Sequence, residues 1–334
     1  MASVKILVAP DSFKGTYTAR EVAGAIGRGL AESGANPVLM PVADGGEGTL
    51  DVLAAPLDLR FITAPARNPW GTACGGTFAV AESGTAFVEL AEVCGIAAPH
   101  DDHRDPIAAD TYGVGMLMAA ATRHGAERIV VATGGSATTD GGTGALCALE
   151  EHGGLRGTPV TVLTDVTTPY LDAARVFGPQ KGASPAQVAV LAQRLRDTAA
   201  RFRRDPALVP GTGAAGGFAG AMWAEHDAEL VSGADFVLDA LAADEHLAEA
   251  DAIVLGEGRI DSQSSQGKIV SALLARSRSI PRFAVVGSVG PDLGDLRDEF
   301  RQILVAGDER AMRAAGRAIG RQPASSGTDR RVLG

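Results

Sequence analysis

Residues 6–42, ILVAPDSFKGTYTAREVAGAIGRGLAESGANPVLMPV, decide the fold. Residues 6–9 are a short, wholly apolar run closed by Pro10, the pattern of a strand buried on both faces of a parallel sheet. A polar loop covers residues 11–17. Thr18 and Glu21, three apart, then form a capping-box pair ahead of Val22, Ala25, Ile26 and Leu30 at helical spacing. Gly34 stands where glycine closes a helix, and residues 38–42 read as the second strand. The stretch is one β-α-β unit, and it runs directly into a glycine-rich loop.

The same order recurs further along the chain. Residues 128–132 lead into a glycine-rich segment at 133–144 and then a helix, and residues 252–255 lead into a second such segment at 256–267. Residues 282–286 and 302–305 supply two more strands. Strands alternating with helices predict an α/β fold with a parallel sheet. Residues 59–90 differ: they alternate, with turns at Asn68-Pro69-Trp70-Gly71 and Glu82-Ser83-Gly84, which are hairpin signals. Ser184 and Pro185 start a helix running to about residue 203. The expected class is therefore α/β, a Rossmann-like parallel-sheet domain with a second, inserted mixed α/β domain. The first is assigned residues 1–58 and 230–320, the second residues 59–229, and the strand-loop-helix at 128–150 fits either. Residues 321–334 lose the apolar period and read as a disordered tail.

Composition narrows the function. A chain of 334 residues suits two domains. Its 43 glycines follow no Gly-X-Y period, so they belong to turns and ligand loops. A net charge of −10, 4% aromatics and no clustered Lys/Arg surface exclude nucleic-acid binding. Cys74, Cys94 and Cys147 are widely spaced with no Cys-x-x-Cys, which argues against structural zinc and a disulfide framework. No stretch approaches 18 apolar residues and the N-terminus lacks a cleavage signature, so no membrane is expected and the setting reads as cytoplasmic.

Three glycine-rich loops that carry carboxylates each follow a candidate strand: Asp44-Gly45-Gly46-Glu47-Gly48-Thr49, then GGSATTDGG at residues 134–142, then GEGRID at residues 256–261. Glycines at such junctions let backbone N–H groups approach phosphate. Carboxylates there are counterproductive for an anion unless Mg²⁺ intervenes, since Mg²⁺ is held by one or two carboxylates plus phosphate oxygens. Asp11-Ser12-Phe13-Lys14 occupies the loop after the first strand, with Lys14 as a clamp on a carboxylate or phosphate and Asp11 as a proton acceptor or metal ligand. The P-loop motif is absent: Gly267-Lys268 is followed by Ile269, and Ser262 holds the place of the first glycine. Gly211, Gly213 and Gly216 match the dinucleotide pattern but follow Val209-Pro210 and not a clear strand. The six histidines give no His-x-x-x-His, and no Gly-x-Ser-x-Gly elbow is present.

Together the motifs resemble the class I glycerate kinases of bacteria. The segments are residues 9–15 (APDSFKG), 43–49 (ADGGEGT), 134–142, 177–183 (FGPQKGA), 213–217 (GAAGG) and 256–263 (GEGRIDSQ) with Gly267-Lys268, in the family's order. The resemblance implies ATP-dependent, Mg²⁺-requiring phosphorylation of D-glycerate on a two-domain α/β fold, with the site in the interdomain cleft and 2-phosphoglycerate as the favoured product. Two departures stand out: the stretch between Glu150 and Pro159 is shorter than the family's, and Thr168 stands where the family usually shows Asn. A related hydroxy acid is the alternative substrate.

Phosphoryl transfer requires donor and acceptor held in line, neutralised phosphates and an acceptor for the hydroxyl proton. Asp44 and Asp140 are the two candidates for the base, and Lys14 is assigned with them to the catalytic residues. Asp11, Ser12, Phe13, Lys14, Gly134, Gly135 and Ser136 are assigned to the substrate, with Arg67 and Lys181 behind them. Gly45, Gly46, Gly213, Gly216, Gly256, Gly258 and Lys268 are assigned to ATP, and Glu47, Glu257 and Asp261 to the metal. The expected partners are the small molecules D-glycerate and ATP, and a homodimer is left open. An NAD-dependent dehydrogenase using residues 211–216, and a non-catalytic sensor of small acids, are the competing readings.

Overall fold

A computed structural model describes residues 3–98, 104–261 and 269–322 of the chain. It divides into two compact units, residues 1–44 with 237–334 and residues 45–236. The first unit is a five-stranded sheet of β1 (Lys5–Pro10), β2 (Asn36–Leu39), β9 (Ala252–Ile260), β10 (Arg282–Val289) and β11 (Gln302–Val305), in the order β11-β10-β9-β1-β2. Every pair is parallel. Numbered within the unit, the order is that of doubly wound sheets whose first and third strands are neighbours, and such sheets bind ligands where their topology reverses.

The opening β-α-β unit forms for the reasons its residues give. Ile6, Leu7, Val8 and Ala9 are buried. The Thr18 side chain accepts from Glu21 N, and the Glu21 carboxylate accepts from Thr18 N, so the box opens the helix Ala19–Glu32. The second strand ends at Leu39, earlier than residues 38–42 suggest, because Pro41 has no N–H to give. Met40 N and Val42 N still donate to Val8 O and Pro10 O, so the segment follows β1 to its end. The helices Ala19–Glu32 and Glu309–Gly320 cross in close contact at Gly29 and Gly316.

The second unit is a six-stranded mixed sheet: β3 (Arg60–Arg67), β4 (Ala73–Val80), β5 (Thr85–Glu89), β6 (Arg128–Ala132), β7 (Val160–Leu163) and β8 (Glu229–Val231), ordered as in sequence. β3, β4 and β5 pair antiparallel, and β5 to β8 pair parallel. The hairpins over residues 59–90 and the strand at 128–132 are where the sequence places them, and the latter belongs to this unit. The helices Tyr112–Arg123 and Thr143–Glu151 cover it, and a smaller cluster around Tyr170, Leu191 and Leu195 seats the helix Pro185–Ala199.

Two differences from the sequence reading have physical causes. The units divide at 44/45 and 236/237 and not at 58/59 and 229/230. Residues 45–58 go with the second unit because the helix Thr49–Ala54 is tied to β5: Leu50 N donates to Glu89 Oε1 at 2.9 Å. Residues 256–261 are not a loop, since β9 runs on through Ile260, held in register by Ser288 and Val289 of β10. The reading of residues 321–334 lies outside the described residues except at 321 and 322, and Lys268 lies outside them as well.

Candidate active site

In the first unit, the carboxyl ends of β1 and β9, where the sheet order reverses, open onto a cavity of about 490 Å³. Asp11, Ser12, Phe13, Lys14, Asp44, Glu257, Gly258, Arg259 and Ser288 are among its lining residues. The strands place these groups: Asp11 follows β1 directly and its N–H donates to Gly256 O at 2.8 Å, while Phe13 N donates to Tyr17 O and turns the loop back. Gly258 lies against the Phe13 and Lys14 backbone, and Gly256 against Pro10 and Val285 O.

Three carboxylates share this cavity with one lysine. Asp11 is buried and its Oδ1 accepts from Ser12 N at 2.6 Å. Burial pushes its carboxyl up to about 7, with the Asp44 charge adding to the rise and Lys14 opposing it. Lys14 Nζ lies 3.7 Å from Asp44 Oδ2. Hard oxygen donors gathered at this cavity fit Mg²⁺, an ion commonly held by one or two carboxylates together with phosphate oxygens. Among the described residues no group of three or more His, Cys, Asp or Glu is placed to hold a metal by itself. Asp261, also assigned to the metal, has its Oδ2 3.5 Å from Arg259 Nε.

The other two glycine-rich loops meet in the second unit. A Cβ on Gly134 would come within 2.5 Å of Gly46 Cα, Thr133 N donates to Gly45 O, and Glu47 lies beside Gly135. The loop after β6 is fixed by Asp140. Its Oδ2 accepts from Thr111 N, Thr111 Oγ1 and Gly144 N at 3.0, 2.8 and 2.9 Å, and its Oδ1 from Gly142 N at 3.1 Å. Asp140 is buried, and these four bonds engage both its oxygens. Ser136, on the same loop, accepts from Lys181 Nζ at 2.8 Å.

Gly213 and Gly216 pack backbone on backbone. A Cβ on Gly216 would lie 2.0 Å from Thr138 O, and one on Gly213 would lie 2.6 Å from Pro169 O. This segment forms a tight turn, Ala214–Gly217, before the helix Phe218–His226, and it precedes β8, so the strand that a dinucleotide fingerprint follows is missing. Arg67 is paired to Asp110 at 2.5 Å and stacked on Tyr112.

Sequence reasoning missed Glu89. Its carboxyl caps the helix after the Asp44–Gly48 segment and is pushed up to about 7 by burial, with the Glu92 and Glu47 charges adding to it. A glutamate closing the apolar strand Ala86-Phe87-Val88 was the available signal.

The fold agrees with what a known protein shows. The model of the glycerate kinase family matches residues 6–154 and 150–316, its two pieces meeting in the stretch that reads short. The chain is 36% identical over 331 residues to glycerate 2-kinase of Escherichia coli (strain K12), with 87% of each chain covered. It is 35% identical over 333 residues to glycerate kinase of Bacillus subtilis (strain 168), with 86% of each covered. A solved structure from Salmonella typhimurium LT2, described as a candidate glycerate kinase 2, is 29% identical and gives a TM-score of 0.76 over 96% of this chain and 98% of that one. Matched along almost its whole length, the chain belongs to the glycerate kinase family, and it is a kinase that transfers a phosphoryl group to an alcohol.

Proposed function

We propose that the protein phosphorylates D-glycerate with ATP and Mg²⁺ and releases 2-phosphoglycerate. The observation that carries this reading is the convergence of Asp11, Lys14, Asp44 and Glu257 on one cavity at the reversal of the parallel sheet. The product follows the relative named glycerate 2-kinase.

Asp44 is the general base in this account, because it lines the cavity beside Lys14. The Lys14 ammonium, 3.7 Å from Asp44 Oδ2, would steady the phosphoryl oxygens. Asp140, the other acid considered as base, has both oxygens engaged and fits a positioning part, holding the loop that carries Gly134, Gly135 and Ser136. Asp11 and Glu257 would hold the metal with the nucleotide. When bound, Mg²⁺ supplies charge neutralisation on the phosphates. Ser12 N–H and the β9 backbone at Gly256 and Gly258 would lie along the nucleotide, and Glu47 borders the Gly134–Gly135 turn.

A coupled ADP-release assay tests this. ADP should form only with D-glycerate, ATP and Mg²⁺ together, and activity removed by EDTA should return with Mg²⁺. ADP release indifferent to D-glycerate would sink the reading.

A further inference from the structure

Lys181 ends a short turn, Pro179–Lys181, and its ammonium donates to Ser136 Oγ at 2.8 Å and to Thr138 O at 2.6 Å. An ammonium has three N–H donors, so one remains. The Ser136 oxygen is engaged as acceptor, which leaves its O–H to donate elsewhere. Among the described residues no carboxylate lies within ion-pair reach of Lys181, and the Asp140 charge acts on it only from a distance. Burial accordingly holds the Lys181 ammonium down to about 7.

The surroundings of this pair are fixed. Ile96 N donates to Gly135 O, Ala137 N to Cys94 O and Gly141 N to Gly216 O, and Tyr170 OH donates to Gly141 O. The loop cannot collapse to give the lysine a new partner. It also stands at the carboxyl end of β6, where parallel sheets bind their ligands. A half-buried cation with no counter-ion is costly, and an incoming anion removes that cost.

We propose that Lys181 and Ser136 together form the receptor for the carboxylate of the hydroxy-acid substrate. This rests on the kinase reading and names the residues that set its substrate class. One N–H from the Pro179–Lys181 turn and one O–H from the loop after β6 match the two oxygens and single charge of a carboxylate, whereas a triphosphate calls for more positive charge than one lysine gives.

The test is steady-state kinetics of Lys181→Met and Ser136→Ala. The KM for D-glycerate should rise roughly 100-fold in the first and about tenfold in the second, the range lost with charged and neutral hydrogen bonds. The KM for ATP should stay within about threefold in both. A loss of packing alone would move both constants together and lower the melting temperature. A rise in the ATP constant in place of the glycerate constant makes the pair a phosphate receptor and overturns the proposal, as does an unchanged glycerate constant. If Lys181→Met does not fold, Ser136→Ala decides alone. If the wild-type enzyme does not turn over D-glycerate, the kinase reading fails separately. Titration calorimetry with D-glycerate and no nucleotide then tests the receptor: weaker binding by Ser136→Ala sustains it, and equal binding or none by the wild type overturns it.

Discussion

At the scale of single residues, charge is concentrated where burial makes it costly. Asp11 ionises less readily folded than unfolded, since burial and the Asp44 charge raise its carboxyl from 3.8 to about 7. Its contribution to stability is therefore fully present below about pH 4 and is lost as pH rises through about 7. Asp11→Asn should remove that loss. At pH 8 the variant should melt higher than the wild type by an amount worth up to a few kcal/mol, while phosphorylation falls at least tenfold. A lower melting temperature at pH 8 would show that Asp11 is not strained. Asp44→Asn should lower kcat by about 10²- to 10⁴-fold, the span general base catalysis supplies, with little change in the ATP KM. Unchanged turnover would remove Asp44 as the base. The Lys181 amine, held down to about 7, gives a third expectation: D-glycerate binding should weaken as pH rises from 7 to 9, read by calorimetry. Constant affinity across that range would contradict it.

At the scale of elements, what is local was legible and what is tertiary was not. Thr18 with Glu21, and Ser184 with Pro185, announce their helices because each signal is complete within four residues. The end of β9 was misread as a loop because glycines at 256 and 258 look like a turn from the sequence, while in the fold they let Pro10, Phe13 and β10 come close. Nothing in the loop of Asp140 reveals that Thr111, 29 residues earlier, supplies two of its hydrogen bonds. The loops that carry these acids were readable from glycine and carboxylate spacing; the partners that fix each acid were not. Contact at Gly29 gives a test at this scale. A Cβ there would lie 2.0 Å from Arg313 O in the helix Glu309–Gly320. Gly29→Val should destabilise the first unit by about 1–3 kcal/mol through overpacking, read from the urea midpoint. An unmoved midpoint would mean that the two helices separate freely.

At the scale of the whole molecule, two α/β units are built on one chain that leaves the first at Asp44 and returns to it at Val237. Asp44 lines the cavity of the first unit, and Gly45 and Gly46, which follow it, belong to the loop packed on Gly134 in the second. Among the described residues no helix is long and apolar enough to cross a membrane. The most direct measurement is phosphorus NMR of the products formed from D-glycerate, ATP and Mg²⁺. The account predicts ADP together with a phosphomonoester whose phosphorus is split into a doublet by the single proton on carbon 2. A triplet, from the two protons on carbon 3, would place the phosphoryl group on the other hydroxyl, and a spectrum of unchanged ATP would contradict the account altogether.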